Sequence, residues 1–97
     1  MFKVGIIGVG YVGNIHLEKF SCIDDVCITA ISDVDFAKVR ESKLKFNVKS
    51  TYSDHRSLLE KADLDLVVIC VANHLHHDLT IDALELGHKV CVKNQWR

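Results

Sequence analysis

Gly8-Val9-Gly10-Tyr11-Val12-Gly13 has the spacing G-x-G-x-x-G, and Asp33 follows twenty residues after its last glycine. These residue types at this spacing suit the binding of a dinucleotide. Gly8 permits a tight turn, and Gly10 lets the backbone approach a pyrophosphate with no side chain in between. Gly13 lets a following helix pack closely on the preceding strand. Tyr11 and Val12 open that helix, whose first N–H groups and partial positive charge attract phosphate. Asp33 then accepts hydrogen bonds from ribose hydroxyls. Its charge favours NAD over NADP, because a 2′-phosphate would meet a like charge, and Val34-Asp35-Phe36 bring no Arg or Lys to offset it. A glycine turn in the same architecture also serves a flavin, S-adenosylmethionine or no ligand at all, and at this level those alternatives stay open.

Two other groups of residues could do chemistry. His74, His76 and His77 cluster before Asp78. His74 and His77 stand three apart at the start of a helix while His76 points elsewhere, and no second carboxylate or cysteine completes a ligand set. No metal site is expected; His74 and His77 read as solvated polar residues of a first helical turn. His16 reads equally as a packed, hydrogen-bonded residue and as a cofactor contact. Cys22, Cys27, Cys70 and Cys91 form no C-x-x-C pair, and three of them lie in apolar runs. Buried, reduced thiols acting as small hydrophobes are expected, which points to a cytoplasmic protein.

The elements that must position these residues alternate between two periods. Val4–Val9 is a short apolar run ending in glycines, as in a buried parallel strand. A helix over Tyr11–Phe20 follows, then a strand over Val26–Ile31 closed by Ser32-Asp33. A helix over Phe36–Phe46 has Phe36, Val39, Lys43 and Phe46 on one side. Val48–Tyr52 is a short third strand, and Ser53-Asp54 caps a helix running to about Lys61. Leu66–Val71 is a continuous β-branched run bounded by Asp65 and Asn73. Leu75–Leu86 has helical spacing and stops at Gly87, a C′ glycine. Lys89–Val92 is a fifth strand. Strands alternating with helices predict right-handed β-α-β units and a doubly wound parallel α/β sheet of about five strands, helices on both faces.

With 48% hydrophobic and 26% charged residues among 97, the chain can bury one modest core but not two. A formal net charge of −1 leaves no basic field for nucleic acid and no polybasic membrane anchor. No apolar run approaches the roughly 18–20 residues that span a bilayer, and the amino terminus starts straight into structure with no signal peptide. The expected partner is therefore a dinucleotide, not nucleic acid or membrane. Proline is absent altogether.

Taken together, these segments resemble the glucose–fructose oxidoreductase and myo-inositol dehydrogenase family of NAD(P)-dependent oxidoreductases. The likeness runs from residue 3 to residue 92. It includes the glycine turn followed by His16, Ala30-Ile31-Ser32-Asp33-Val34-Asp35, and Thr51-Tyr52-Ser53-Asp54 before Leu58-Leu59. It continues through Asp65-Leu66-Val67-Val68-Ile69, then Val71-Ala72-Asn73-His74-Leu75-His76-His77, and Ala83 to Val90. The resemblance implies that residues 1–92 are an NAD(P)-binding Rossmann domain. It also places Val71, Asn73 and His76, on the loop after the fourth strand, against the cofactor, the last two near its nicotinamide half.

Residues 93–97 depart from that pattern. The family continues its fifth strand into Glu-Lys-Pro, whose lysine is catalytic, but Lys93, Asn94 and Gln95 occupy those positions. No residue is therefore assigned a catalytic role. Dropping one base from a reading frame encoding Glu-Lys-Pro-Met-Ala yields Lys93-Asn94-Gln95-Trp96-Arg97, so a frame lost at this point is the expectation. A second family proline is replaced by Ala72, which removes a fixed φ before Asn73. Family members bind sugar or polyol with a carboxy-terminal domain. The expectation is thus an NAD-binding domain that is catalytically incomplete alone. The alternatives are a stand-alone nucleotide-binding module, one that forms a homo-oligomer through an exposed sheet edge or apolar surface, and a non-functional remnant.

Overall fold

A computed structural model of the chain describes residues 1–71 and 73–92, without the side chains of residues 11, 12 and 73–77. Five strands form one sheet, β1 Phe2–Ile7, β2 Val26–Ser32, β3 Ser50–Tyr52, β4 Leu66–Ile69 and β5 Val90–Val92. Four helices connect them, α1 Tyr11–Ser21, α2 Phe36–Phe46, α3 His55–Lys61 and α4 Asn73–Glu85. The strand order is β3-β2-β1-β4-β5 and every pairing is parallel. The chain winds outward from β1 to β3, crosses back, and winds outward again through β4 and β5. The winding reverses between β1 and β4, and a crevice outside the carboxyl ends of the strands opens at that point.

Alternation along the strands divides the core into two layers. Val4, Ile6, Ile28, Ile31 and Val68 face Leu17 of α1 and Val39 of α2. Ile7, Ala30, Val67 and Ile69 face Leu58 and Leu59 of α3 and Leu79 and Ala83 of α4. Helices therefore cover both faces, which is why β4 is apolar along its whole length. Each fully buried Leu, Ile or Val contributes about 1.5–3 kcal/mol.

Element boundaries move where a hydrogen bond decides them. β1 begins at Phe2, two residues before the apolar run, because the Phe2 N–H donates to the Asp25 carbonyl at 2.8 Å and Phe2 pairs with Val26. It ends at Ile7 because Gly8 turns the chain at φ +94°. β3 starts at Ser50 rather than Val48. Asn47 is left-handed at φ 55°, and the Val48 N–H still donates to the Lys43 carbonyl, so this stretch is closing α2. α4 starts at Asn73, two residues before the expected Leu75. On α2 the buried positions are Val39 and Ser42, while Phe36 is half-exposed with the Arg40 guanidinium over its ring. None of the four cysteines forms a disulfide among the described residues. Only Cys70 is buried; Cys27 and Cys91 are half-buried and Cys22 is exposed, which corrects the expectation of uniformly buried cysteines. Among the described residues no helix is long and apolar enough to cross a membrane.

Candidate functional site

The glycine turn lies at the reversal point, and two of its glycines are held there by crowding. Gly8 donates its N–H to the Ser32 carbonyl at 2.8 Å. A Cβ on Gly8 would stand 2.5 Å from the Cys70 carbonyl oxygen and 2.9 Å from Val71 Cγ1. The left-handed φ and the neighbouring backbone just beyond β4 both demand glycine. A Cβ on Gly13 would penetrate the Gly8 carbonyl oxygen, so α1 can lie this close to the turn only with glycine at that position.

Asp33 is tied directly to this turn. Its Oδ2 accepts from the Val9 N–H at 2.9 Å and its Oδ1 from the Asp35 N–H at 2.9 Å. An ionised carboxylate offers about four lone-pair directions, so two remain for an incoming hydroxyl pair. The sequence pairs Gly8–Gly13 with Asp33 only by spacing; the structure joins them by a hydrogen bond.

The amino termini facing this end of the sheet differ in their caps. Asp35 caps α2 by accepting from the Ala37 N–H at 3.1 Å. Asp54 caps α3 by accepting from the Ser57 N–H at 2.8 Å, and that bond holds its carboxyl below the usual carboxylate range. Gly10 at the start of α1 has no side chain to offer, and the first turn of α1 holds no acidic residue. Its N–H groups and positive end are suited to an external anion.

A cleft of about 340 Å³ opens beside the turn, lined by Ile7, Gly8, Ser32, Asp33, Val34, Asp54, His55, Val71, Asp78 and Leu79. Val34, 91% exposed, presents an apolar surface at its rim. Ser32 is 1% exposed, and its hydroxyl is buried with no hydrogen-bond partner among the described residues. A buried polar atom of this kind calls for an explanation, and its place in the cleft lining supplies a ligand-side one. The cleft wall is braced by His55 Nε2, 3.0 Å from Asp82 Oδ2, which links α3 to α4. The Arg56 guanidinium reaches the same carboxylate at 3.6 Å.

Gly8, Gly10, Gly13, Asp33 and Val71 thus come together at one end of the sheet. Tyr11 and Val12 begin α1 there, with side chains outside the described residues. Asn73 and His76 were expected on a loop after β4; both belong instead to the first turn of α4. Their side chains, with those of His74 and His77, lie outside the described residues, as do Ala72 and residues 93–97. His16 is half-buried against Phe20, ring centroids 6.5 Å apart. Ser32, His55 and Asp78 were not foreseen as cleft residues. For Ser32 the available signal was a hydroxyl at the end of an apolar strand, next to the acidic residue.

A doubly wound sheet with a glycine turn at its reversal point and an acidic residue ending β2 defines the class of dinucleotide-binding Rossmann domains. A turn packed so tightly on neighbouring backbone that Gly8 and Gly13 have no room for a Cβ, a helix terminus with no side-chain cap and a carboxylate with free lone pairs all fit such a cofactor. The chain belongs to the oxidoreductase family with an NAD-binding Rossmann fold, whose model matches residues 2–93. It is similar to myo-inositol 2-dehydrogenase of Thermotoga maritima, 39% identical over 92 residues, or 94% of this chain and 28% of the relative. A crystal structure of a probable dehydrogenase from Thermotoga maritima superposes with a TM-score of 0.89 at 35% identity, over 94% of this chain and 27% of that one. The scyllo-inositol dehydrogenase from Lactobacillus casei, crystallised with NAD(H) and scyllo-inositol, superposes with a TM-score of 0.89 at 27% identity, over 95% and 27%. The chain therefore spans about a quarter of the length of these relatives.

Proposed function

We propose that residues 1–92 are an NAD(H)-binding unit of a cytoplasmic dehydrogenase acting on a sugar or cyclitol hydroxyl. The observation that carries this reading is the 2.9 Å bond from the Val9 N–H to Asp33, which fixes the acidic side chain beside the glycine turn. In this reading the N–H groups at the start of α1 receive the pyrophosphate, Gly10 keeps its approach clear, and Gly8 and Gly13 allow the turn to pack closely on the chain just beyond β4 and on α1. Asp33 takes the adenosine ribose hydroxyls, and the cleft beside Val34 and Val71 receives the adenine. Asn73 and His76, in the first turn of α4, reach toward the nicotinamide half. NAD, when bound, supplies the hydride acceptor for oxidation of an alcohol. The described residues hold and orient the cofactor; none of them is assigned a catalytic role. The inositol substrates of similar proteins support the substrate class. Cysteines without disulfides among the described residues agree with a reducing compartment.

Asp33 also supports NAD over NADP, since a 2′-phosphate beside it loses roughly tenfold or more in affinity. Fluorescence titration with NADH and NADPH checks this. Micromolar NADH binding, weaker NADPH binding and loss of NADH binding in Asp33→Arg are expected. Absence of saturable binding of either cofactor contradicts the proposal.

A second reading concerns association. Ile81, Leu84 and Val92 are exposed apolar residues on α4 and the β5 edge, which supports pairing of two copies across that edge. A sedimentation profile of a single monomeric species over a hundredfold concentration range rules it out.

A further inference from the structure

We propose that Asn14 is a positioning residue that aims the N–H groups of the glycine turn at phosphate, an inference that rests on the dinucleotide reading above. Its Nδ2 donates to the Val9 carbonyl at 2.6 Å and to the Gly10 carbonyl at 3.0 Å. Its Oδ1 accepts from Ser42 Oγ at 3.3 Å. Ser42 is 1% exposed on the inner side of α2. One half-buried amide therefore spends its donor end on the turn and its acceptor end on the neighbouring helix.

The consequence follows from peptide geometry. In a trans peptide the C=O and the N–H of the next residue point in opposite directions. Holding the Val9 and Gly10 carbonyls toward Asn14 turns the N–H groups of Gly10 and Tyr11 the opposite way, away from the amide that holds them. The Val9 N–H is already committed to Asp33, so the clamp bears on the next two donors along the chain: on that of Gly10 through the Val9 carbonyl, and on that of Tyr11 jointly with the Asn14 backbone N–H, which donates to the Gly10 carbonyl at 2.9 Å. These open a helix that has no side-chain cap. A diphosphate has the anionic oxygens to receive both.

Asn is also a poor residue for the interior of a helix, and at position 14 it already sits inside α1. Alanine would suit the helix better; it would release the Val9 carbonyl and leave the Gly10 carbonyl with the residue-14 backbone N–H alone, which donates to it at 2.9 Å. A role confined to stability would weaken all ligands together, whereas a role in aiming the turn weakens only those that carry phosphate.

Isothermal titration of the protein and its Asn14→Ala variant with ADP and with adenosine separates these. ADP affinity is expected to fall roughly tenfold while adenosine affinity stays unchanged. Equal losses for both ligands, or an unchanged ADP affinity, in a variant with the wild-type circular dichroism spectrum overturns the proposal. If Asn14→Ala does not fold, Ser42→Ala keeps the donor bonds and frees the acceptor end. It is expected to weaken ADP about two- to threefold and adenosine not at all, and unchanged ADP affinity overturns the proposal. A wild-type protein that binds neither ADP nor NADH overturns the dinucleotide reading and this inference with it. Wild-type binding matched by Asn14→Ala overturns this inference alone.

Discussion

Helices α1 and α3 each follow a parallel strand and start from an extended residue, Gly10 at φ −75° and Asp54 at φ −143°, yet they close their amino termini in opposite ways. Asp54 turns its carboxylate onto the Ser57 N–H, and the Ser57 hydroxyl adds a second bond at 3.2 Å. The terminus of α3 is thereby satisfied from within. Gly10 offers α1 no side chain, and the Asn14 side chain binds the carbonyls of Val9 and Gly10 there rather than N–H groups. A side-chain cap stabilises a helix by about 1 kcal/mol over none. The chain forgoes such a cap at the start of α1, which lies at the reversal point of the sheet, where a ligand has access. The difference teaches that α3 is closed by its own side chains, while the start of α1 keeps donors that the proposed dinucleotide reading assigns to an anion from outside.

The largest expected effect comes from displacing the turn that leads into α1. Gly8→Ala combines a left-handed backbone with a Cβ against the Cys70 carbonyl, and it is expected to cost about 2–4 kcal/mol and abolish NADH binding. Gly87 makes the control. It has nearly the same φ, +85°, but nothing stands within 4 Å of its Cβ position. Gly87→Ala is expected to cost only about 1 kcal/mol and to leave NADH binding intact. Thermal melts and NADH titration of both variants check this, and equal effects would show that conformation alone, without crowding, decides both turns.

Gly10→Asp gives α1 the kind of cap that α3 has. Stability is expected to change by only a few tenths of a kcal/mol, because glycine is itself a tolerable cap. NADH affinity is expected to fall roughly a hundredfold, because the new carboxylate competes for the same N–H groups and repels phosphate. A capped variant with wild-type affinity would break the contrast between the two helices.

The smallest effect is on the capped helix. The lowered carboxyl pKa of Asp54 means that its cap contributes fully above the ordinary value of 3.8. That contribution is lost as pH falls below 3.8 through the lower folded value. Asp54→Asn should therefore flatten the acid limb of a plot of Tm against pH and lower Tm slightly at neutral pH. An acid limb unchanged by the substitution would remove Asp54 from the account.

What was legible in the sequence follows this same division. Gly8 and Gly13 could be read from spacing, because each answers a backbone demand that only glycine meets well, and Asp33 because an acidic residue ends the next strand at the expected interval. Gly87 was legible as a C′ residue for the same reason. Its N–H donates to the Leu84 carbonyl and that of His88 to the Ala83 carbonyl, completing the close of α4. The alternation of Ile6 with Ile7 and Val67 with Val68 shows why the short apolar runs were strands between two helix layers. Asn14 was not legible, since an asparagine inside a helix has no periodic signature and its partners depend on how α2 packs. Ser32 and His55 became cleft residues only through the crossing from β3 to β4, which no local pattern encodes. The start of α4 at Asn73 was misplaced because the apolar periodicity begins only at Leu75, whereas the helical backbone begins before it.

The most direct test of the central claim is an NADH titration of isotopically labelled protein followed by amide chemical shifts. The account predicts saturable shifts at Gly10, Tyr11, Val12 and Gly13, joined by Asp33 and Val34, while the Ser57 amide held by Asp54 keeps its position. Saturable binding that leaves the four α1 amides in place, or that moves Ser57 most, would contradict it.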